Sequence, residues 1–260
     1  MHGLKRWRVL DTGYGSAAWN MAVDEALLNN LQEDDLPILR LYVWEPALSL
    51  GKFSDVSKSI DMKKIESVDL PVVRRMTGGG VLVHGGDLSY TLLLPRNCLK
   101  GKGVKENYRY LCGFLINLYE KLGLKADFAC DLEIKELKSD ICLAGTEAYD
   151  IMIEDKKMGG NAQRYTRQVL FQHGSIPIKV DKPRFKDLFL GASGLEGSTT
   201  LEEQGYSLEY EQLVLLVSEA FRENFDTDLI IDTLHPSEEE DARKLLADKY
   251  TQQRWNLYAQ

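Results

Sequence analysis

Apolar residues alternate at strand spacing through the middle of the chain and recur at helical spacing towards its ends. Ser16 is placed to cap a helix over residues 17–31, in which Met21, Val23, Leu27, Leu28 and Leu31 roughly follow helical spacing. Residues 7–10 precede it as a short strand, closed by the turn Asp11-Thr12-Gly13. Strands over 38–44 and 47–50 follow, broken by Glu45-Pro46 and stopped at Gly51. Residues 61–67 read as helix, 70–74 as strand, and Thr77-Gly78-Gly79-Gly80 as a loop. Two strands, 81–83 and 88–94, flank Gly85-Gly86. A leucine stripe (Leu111, Leu115, Leu118, Leu122) marks a helix over 108–122, ended by Gly123. Strands are predicted over 126–129, 148–154, from 157 onward and over 169–180, with Asp155-Lys156 as a hairpin turn. Helices over 183–190, 208–225 and 236–249, with a short strand near 229–231, complete the chain.

Central strands between terminal helices predict an α+β fold with a mixed, mainly antiparallel sheet and flanking helices. Strict βαβ alternation is absent, which argues against a doubly wound fold. No internal repeat or linker divides residues 1–260, which are read as one domain. Hydrophobic residues make up 44% and charged residues 28% of the 260, the balance of a globular chain. With 32 Lys+Arg against 40 Asp+Glu, the net charge of −8 argues against a nucleic-acid binder working through a global positive field. No apolar run is long enough for a membrane span, and the N-terminus lacks the apolar core of a signal peptide. Cys98, Cys112, Cys130 and Cys142 form no CxxC pair and no zinc spacing with the histidines, so reduced thiols, a cytoplasmic location and no metal site are expected.

Three segments carry candidate chemistry. In Arg74-Arg75-Met76-Thr77-Gly78-Gly79-Gly80, three glycines allow a ligand to approach the backbone closely, and two arginines offer themselves to an anion or to carbonyls; on composition alone the same residues read as a flexible turn. The P-loop pattern is absent. His84 lies on the following strand and reads as a sheet histidine or a cavity residue. Cys142, among apolar and small residues, is either buried structure or, beside a cation, a nucleophile. Lys157 enters a strand whose small residues Gly159, Gly160 and Ala162 leave room for a ligand beside it. His173 on the next strand reads as a core histidine or as lining for the same cavity.

Taken in order, these segments resemble the lipoate–protein ligase A and octanoyltransferase superfamily, relatives of biotin ligases. The resemblance runs nearly the whole chain. It includes Ala17-Ala18-Trp19-Asn20-Met21-Ala22-Val23-Asp24-Glu25-Ala26, the RRxTGG signature at Arg74–Gly79, the lysine motif Lys157-Met158-Gly159-Gly160-Asn161-Ala162-Gln163, and Trp255-Asn256 at the end. It implies the biotin/lipoate ligase catalytic fold. Three features favour the LipM-type octanoyltransferase branch, one being the expectation that the chain stops after Trp255-Asn256 without the accessory domain of many full-length ligases. Cys142 precedes Ala148-Tyr149-Asp150, where that branch carries its nucleophile, and His84-Gly85-Gly86-Asp87-Leu88-Ser89-Tyr90-Thr91 is similar to its compact H-x-x-D/E-L-S/T-Y-S/T pattern. Gly80, where transferases often have arginine, is the ligase-like feature.

The resemblance implies Cys142 and Lys157 as catalytic residues, and Arg74, Arg75, Thr77, Gly78, Gly79, Gly80, His84, Gly159, Gly160, Ala162 and His173 as the acyl site. It implies acyl carrier protein as octanoyl donor and a glycine cleavage H protein or E2 lipoyl domain as acceptor, with no cofactor. ATP and Mg are implied only for the alternative, a ligase working through lipoyl-adenylate. Lys100, Lys102, Lys105, Arg164 and Arg167 are candidates for a local positive patch that docks acidic partners.

Overall fold

The computed structural model describes residues 5–99, 103–132, 134, 145 and 147–259. In chain order the elements are β1 (Arg6–Gly15), α1 (Ala17–Asn30), β2 (Ile38–Trp44), β3 (Ala47–Leu50), α2 (Val56–Ser59), α3 (Met62–Ser67), β4 (Val72–Arg74), β5 (Leu82–His84), β6 (Asp87–Pro95), α4 (Val104–Lys121), β7 (Ala126–Phe128), β8 (Ile151–Ile153), β9 (Lys156–Lys157), β10 (Gly160–Tyr165), β11 (Val169–Pro177), α5 (Lys182–Lys186), α6 (Tyr210–Phe225), β12 (Asp228–Asp232), α7 (Pro236–Leu245) and α8 (Gln253–Asn256).

The main sheet runs β10-β11-β6-β2-β1-β12. Its β10/β11, β11/β6 and β6/β2 pairs are antiparallel, and β2/β1 and β1/β12 are parallel. The expected α+β class with a mixed, mainly antiparallel sheet is therefore what the chain adopts. Two small sheets, β4-β3-β5 and β7-β8-β9, flank it.

Every residue of β2, β6 and β11 is buried, because helices cover both faces of these strands. Strand alternation sorts their side chains. Leu39, Leu41, Tyr90, Leu92 and Leu170 pack on one face against Phe114 of α4 and Phe221 of α6. Leu93 and Phe171 point the other way, towards Val23 and Leu27 of α1 and Ala242 of α7. By the same alternation Ser89, Thr91, His173 and Ser175 lie on the α1 face, and Gln172 and Gly174 on the α4 face.

Ser16 caps α1 by accepting from Trp19 N at 3.3 Å. α1 then carries Asp24 into the core, where the Arg40 guanidinium meets it at 2.6 Å. Both side chains are fully buried, and three further guanidinium hydrogens go to Asn20 O, Asn20 Oδ1 and Thr12 Oγ1.

Local differences from the sequence reading have physical causes. Residues 11–13 bend without ending β1: Gly13 takes φ +59°, Asp11 Oδ1 accepts its N–H, and the pairing with β2 resumes at Tyr14 after a register shift. The hairpin before β9 turns on Glu154 and Asp155, both at positive φ, one residue earlier than expected. The strands flanking Gly85-Gly86 do not pair with each other; β5 joins β3, and β6 joins β2 and β11. The helix expected over 236–249 stops as α7 at Leu245 and continues as one π-helical turn over Leu246–Tyr250. Among the described residues no helix is long and apolar enough to cross a membrane.

Candidate active site

A cavity of about 880 Å3 is bounded by the β10 edge of the main sheet, the glycine loop with β5, and the chain at residues 147–150. Its volume lies within the range of small-molecule sites, roughly 300–1,000 Å3. Tyr42, Trp44, Leu82, Tyr108 and Tyr149 give it largely apolar walls, and Phe53 and Lys105 stand at its border. Of the expected acyl-site residues, Arg75, Gly78, Gly79, Gly80, His84, Gly160, Ala162 and His173 line it, together with Lys157.

Arg74, Thr77 and Gly159 do not. The Arg74 guanidinium is turned away and donates to the carbonyls of Gly51, Lys52, Ser54, Trp255 and Leu257 at 2.9–3.1 Å. Arg74 thus ties the chain end to the loop after β3, and Trp255 Nε1 returns a bond to Arg74 O at 3.0 Å. Gly159 lies behind the wall at φ +78°, where a Cβ would stand 2.0 Å from Ser175 O. Thr77 is buried, its hydroxyl 2.7 Å from His173 Nε2. Cys142 lies outside the described residues, as do Lys100 and Lys102.

The second arginine holds the glycine loop from inside. Arg75 Nη1 donates to Ser49 O (2.6 Å) and Ser49 Oγ (2.7 Å), and Nη2 to Gly80 O (2.9 Å). The Ser49 hydroxyl also hydrogen-bonds His84 Nε2, 2.7 Å away. Asp87, as a carboxylate, accepts from His84 Nδ1–H through Oδ2 at 3.0 Å. The His84 ring also stacks on Trp44, with centroids 3.9 Å apart and planes 12° apart. Asp87 takes further bonds from the Ser89 and Ser175 hydroxyls. Burial pushes its carboxyl up, but His84 and these hydroxyls win and hold it below the usual carboxylate range.

His173 is built the same way. Burial pushes its ring below the ordinary histidine range against the pull of Asp24, whose Oδ2 lies 3.6 Å from Nδ1. Asp24 is opposed by burial, yet Arg40 and His173 keep it below the carboxylate range. Thr91 donates to it at 2.9 Å and Tyr42 at 3.2 Å. Both histidines therefore face the cavity with each ring nitrogen already engaged. They shape and brace the wall, as sheet histidines do.

Lys157 and Asp150 form a buried ion pair at 2.7 Å, each side chain 5% exposed. Lys157 Nζ also donates to Gly145 O at 3.3 Å, and Asp150 Oδ2 accepts Glu147 N at 2.8 Å. The lysine thus brings a charge to the cavity wall in a paired, fixed form. Sequence reasoning passed over Asp150, Asp87, Asp24 and Ser49 as site residues. Asp24, Asp87 and Asp150 all stood inside quoted motifs.

Comparison with known proteins places this geometry. Octanoyltransferase LipM of Exiguobacterium sibiricum is 33% identical over 97% of this chain and 99% of its own length. Octanoyltransferase LipM of Bacillus subtilis is 32% identical over 96% and 97%. A solved structure of lipoate-protein ligase A bound with ATP superposes with TM-score 0.83 at 24% identity, covering 99% of both chains. A bi-partite lipoate protein ligase, solved in work on its E2 lipoyl domain from Thermoplasma acidophilum, gives TM-score 0.81 at 22% identity over 98% and 97%. At these identities the structural likeness speaks to the fold alone. The model of the lipoyl protein ligase A/B catalytic domain matches residues 16–232, and the chain belongs to that family.

Proposed function

We propose that the chain is an octanoyltransferase of lipoate biosynthesis, using Cys142 as nucleophile and taking its acyl group from acyl carrier protein. The observation that carries the reading is the end-to-end match to octanoyltransferases at 30–33% identity. The cavity adds a place for the chemistry. Lys157 lies in its wall and bonds Gly145, three residues beyond Cys142.

In the proposed reaction the Cys142 thiolate attacks the carbonyl carbon of the donor thioester. The carbonyl electron pair moves to oxygen and returns as the carrier thiolate leaves and takes up a proton. One thioester replaces another, so this step needs no ATP. An acceptor lysine on a lipoyl carrier domain, as neutral amine, then attacks octanoyl-Cys142. The amine loses a proton as the C–N bond forms, and Cys142 leaves as thiolate. Amide formation from a thioester is downhill and drives transfer. Lys157 favours the thiolate by its positive charge. Lys105 at the cavity border, Arg164 on β10 and the exposed Arg167 just after it are the described members of the docking patch.

The test compares octanoyl-acyl carrier protein with lipoate plus ATP, read by intact mass of enzyme and acceptor. The expected result is an octanoyl adduct on the enzyme with the first donor, absent in Cys142→Ser. Acylation from lipoate and ATP that survives Cys142→Ala overturns the reading in favour of a ligase.

A further inference from the structure

We propose that Asn161 is a catalytic residue: its carboxamide NH2 donates to the acyl oxygen as that oxygen becomes negative. The proposal rests on the octanoyltransferase reading above and names the group that stabilises its tetrahedral intermediates.

A hydrogen-bond chain on the α4 side of the sheet fixes the carboxamide. Gln163 Nε2 donates to Gln172 Oε1 at 2.7 Å, and Gln172 Nε2 donates to the Tyr90 hydroxyl at 2.9 Å. Tyr90 is fully buried, and its hydroxyl donates to Asn161 Oδ1 at 2.7 Å. The amide oxygen is therefore spent towards the sheet, and Nδ2 is the end left over. That NH2 makes no hydrogen bond to any described residue, and Asn161 lines the cavity. The backbone is held as well: the Tyr108 hydroxyl donates to Asn161 O at 2.8 Å. Gly174 sits opposite Asn161 in the β10/β11 register, and a Cβ there would stand 2.1 Å from Asn161 Oδ1.

The result is a donor pair held rigidly on the same cavity as Lys157, four residues earlier in the chain. A fixed donor acts most strongly on charge that develops during the reaction, because it needs no reorganisation at that moment. In the first step the Cys142–carbon bond forms and the carbonyl pair moves to oxygen. Asn161 holds that oxyanion until the pair returns and the carrier thiolate departs. The same position serves amine attack on octanoyl-Cys142. Asn161 takes no proton in either step.

The experiment measures single-turnover formation of octanoyl-enzyme from octanoyl-acyl carrier protein by quenched intact mass. It uses the full chain and the variants Asn161→Asp and Asn161→Ala. Aspartate keeps the acceptor for Tyr90 but removes the NH2; alanine removes it without adding charge. Both are expected to lose about 10²–10³-fold in the rate at saturating donor, with the half-saturating concentration within about threefold of the parent. Alkylation of Cys142 by iodoacetamide, which involves no oxyanion, is expected to stay within about threefold in Asn161→Ala. A folded variant of either kind reacting within about threefold of the parent overturns the proposal, as does a loss confined to Asn161→Asp. So does a parallel fall in alkylation, which would place the effect on the thiol. If the parent itself forms no adduct at Cys142, the octanoyltransferase reading fails instead.

Discussion

Gly174→Ala tests how tightly the edge of the sheet is built. Gly174 lies mid-strand in β11, between β6 and β10, where its backbone can accept any residue. Space is what forbids one. An added Cβ would stand 2.1 Å from Asn161 Oδ1, 2.6 Å from Tyr90 Cε1 and 2.8 Å from the Tyr90 hydroxyl. Ordinary contact begins near 3.4 Å, so one partner must retreat by more than 1 Å. Tyr90 is fully buried and packs edge-on against Phe114 at 5.0 Å, so it can shift only by straining the core and cannot yield as far as Oδ1 must. Asn161 borders the cavity and can. Its retreat breaks the bond from Tyr90 and leaves a buried hydroxyl without an acceptor. Overpacking and the lost bond together cost about 2–4 kcal/mol. For a chain of this size that lowers Tm by about 4–16 °C. Thermal unfolding followed by circular dichroism measures it, and octanoyl-enzyme formation is expected to slow in the same variant. The cost should shrink by about 1 kcal/mol or more when Gly174→Ala is made in an Asn161→Ala background, because the closest of the three clashing atoms is gone. An unchanged Tm, or an equal cost in both backgrounds, would refute the contact argument.

Asp24→Asn leaves the buried Arg40 guanidinium without its counter-charge and is expected to cost about 3–5 kcal/mol in urea unfolding. Because the folded Asp24 carboxyl is held low, its stabilisation is complete above its ordinary pKa near 4 and is lost as pH falls through the folded value. Between pH 5 and 2 the parent should therefore lose stability more steeply than the variant, and parallel curves would count against the pair. Lys157→Met and Asp150→Asn should move the pH profile of Cys142 alkylation in opposite directions. The first removes the cation and raises the pH needed; the second removes the opposing carboxylate and lowers it. A common direction, or no change in either, refutes the electrostatic coupling.

Much of the fold could be read from the chain, because its elements announce themselves locally. Strands 38–44 and 47–50 appeared at their true bounds, since Pro46 and Gly51 punctuate them. The helix after Ser16 was equally legible through its cap. Pairing was not. β6 lies between strands about 50 residues earlier and about 80 residues later, and nothing local to Gly85-Gly86 says that its flanking strands part company. The reason is visible only in space. The Asp87 carboxylate gathers His84, Gly85 N, Ser89 and Ser175 at that corner, and Gly86 lies so close to Lys179 that a Cβ would stand 2.1 Å from its carbonyl oxygen. The site divided along the same line. The glycine loop, Lys157, Gly160 and Ala162 reach the cavity as their pattern suggested. Arg74 does not, because its guanidinium serves the C-terminal segment some 180 residues away.

The polar groups at the cavity divide by what their hydrogen atoms are used for. Arg75, Ser49, His84 and Asp87 form one directed chain, and Thr77, His173 and Asp24 another, each ending on a carboxylate held in its charged form. Such chains make a stiff wall, and stiffness is what a glycine loop needs if it is to hold a shape against an acyl chain. They are poor proton carriers for a substrate, because each ring nitrogen already has a partner. The chemistry is thereby pushed to the other side of the cavity. There Lys157 supplies charge and Asn161 supplies a directed donor, on two short strands joined through Gly159 at positive φ. β10 is the edge of the main sheet, so its alternating side chains meet the cavity from both faces: Ala162 opposite His173, Asn161 opposite Gly174. The interior strands β2, β6 and β11 give most of both faces to packing and reach the cavity with a few residues each. An edge strand can give one face to the wall and the other to the reacting group, which is why the residues that must meet substrate lie on β10 and its approach.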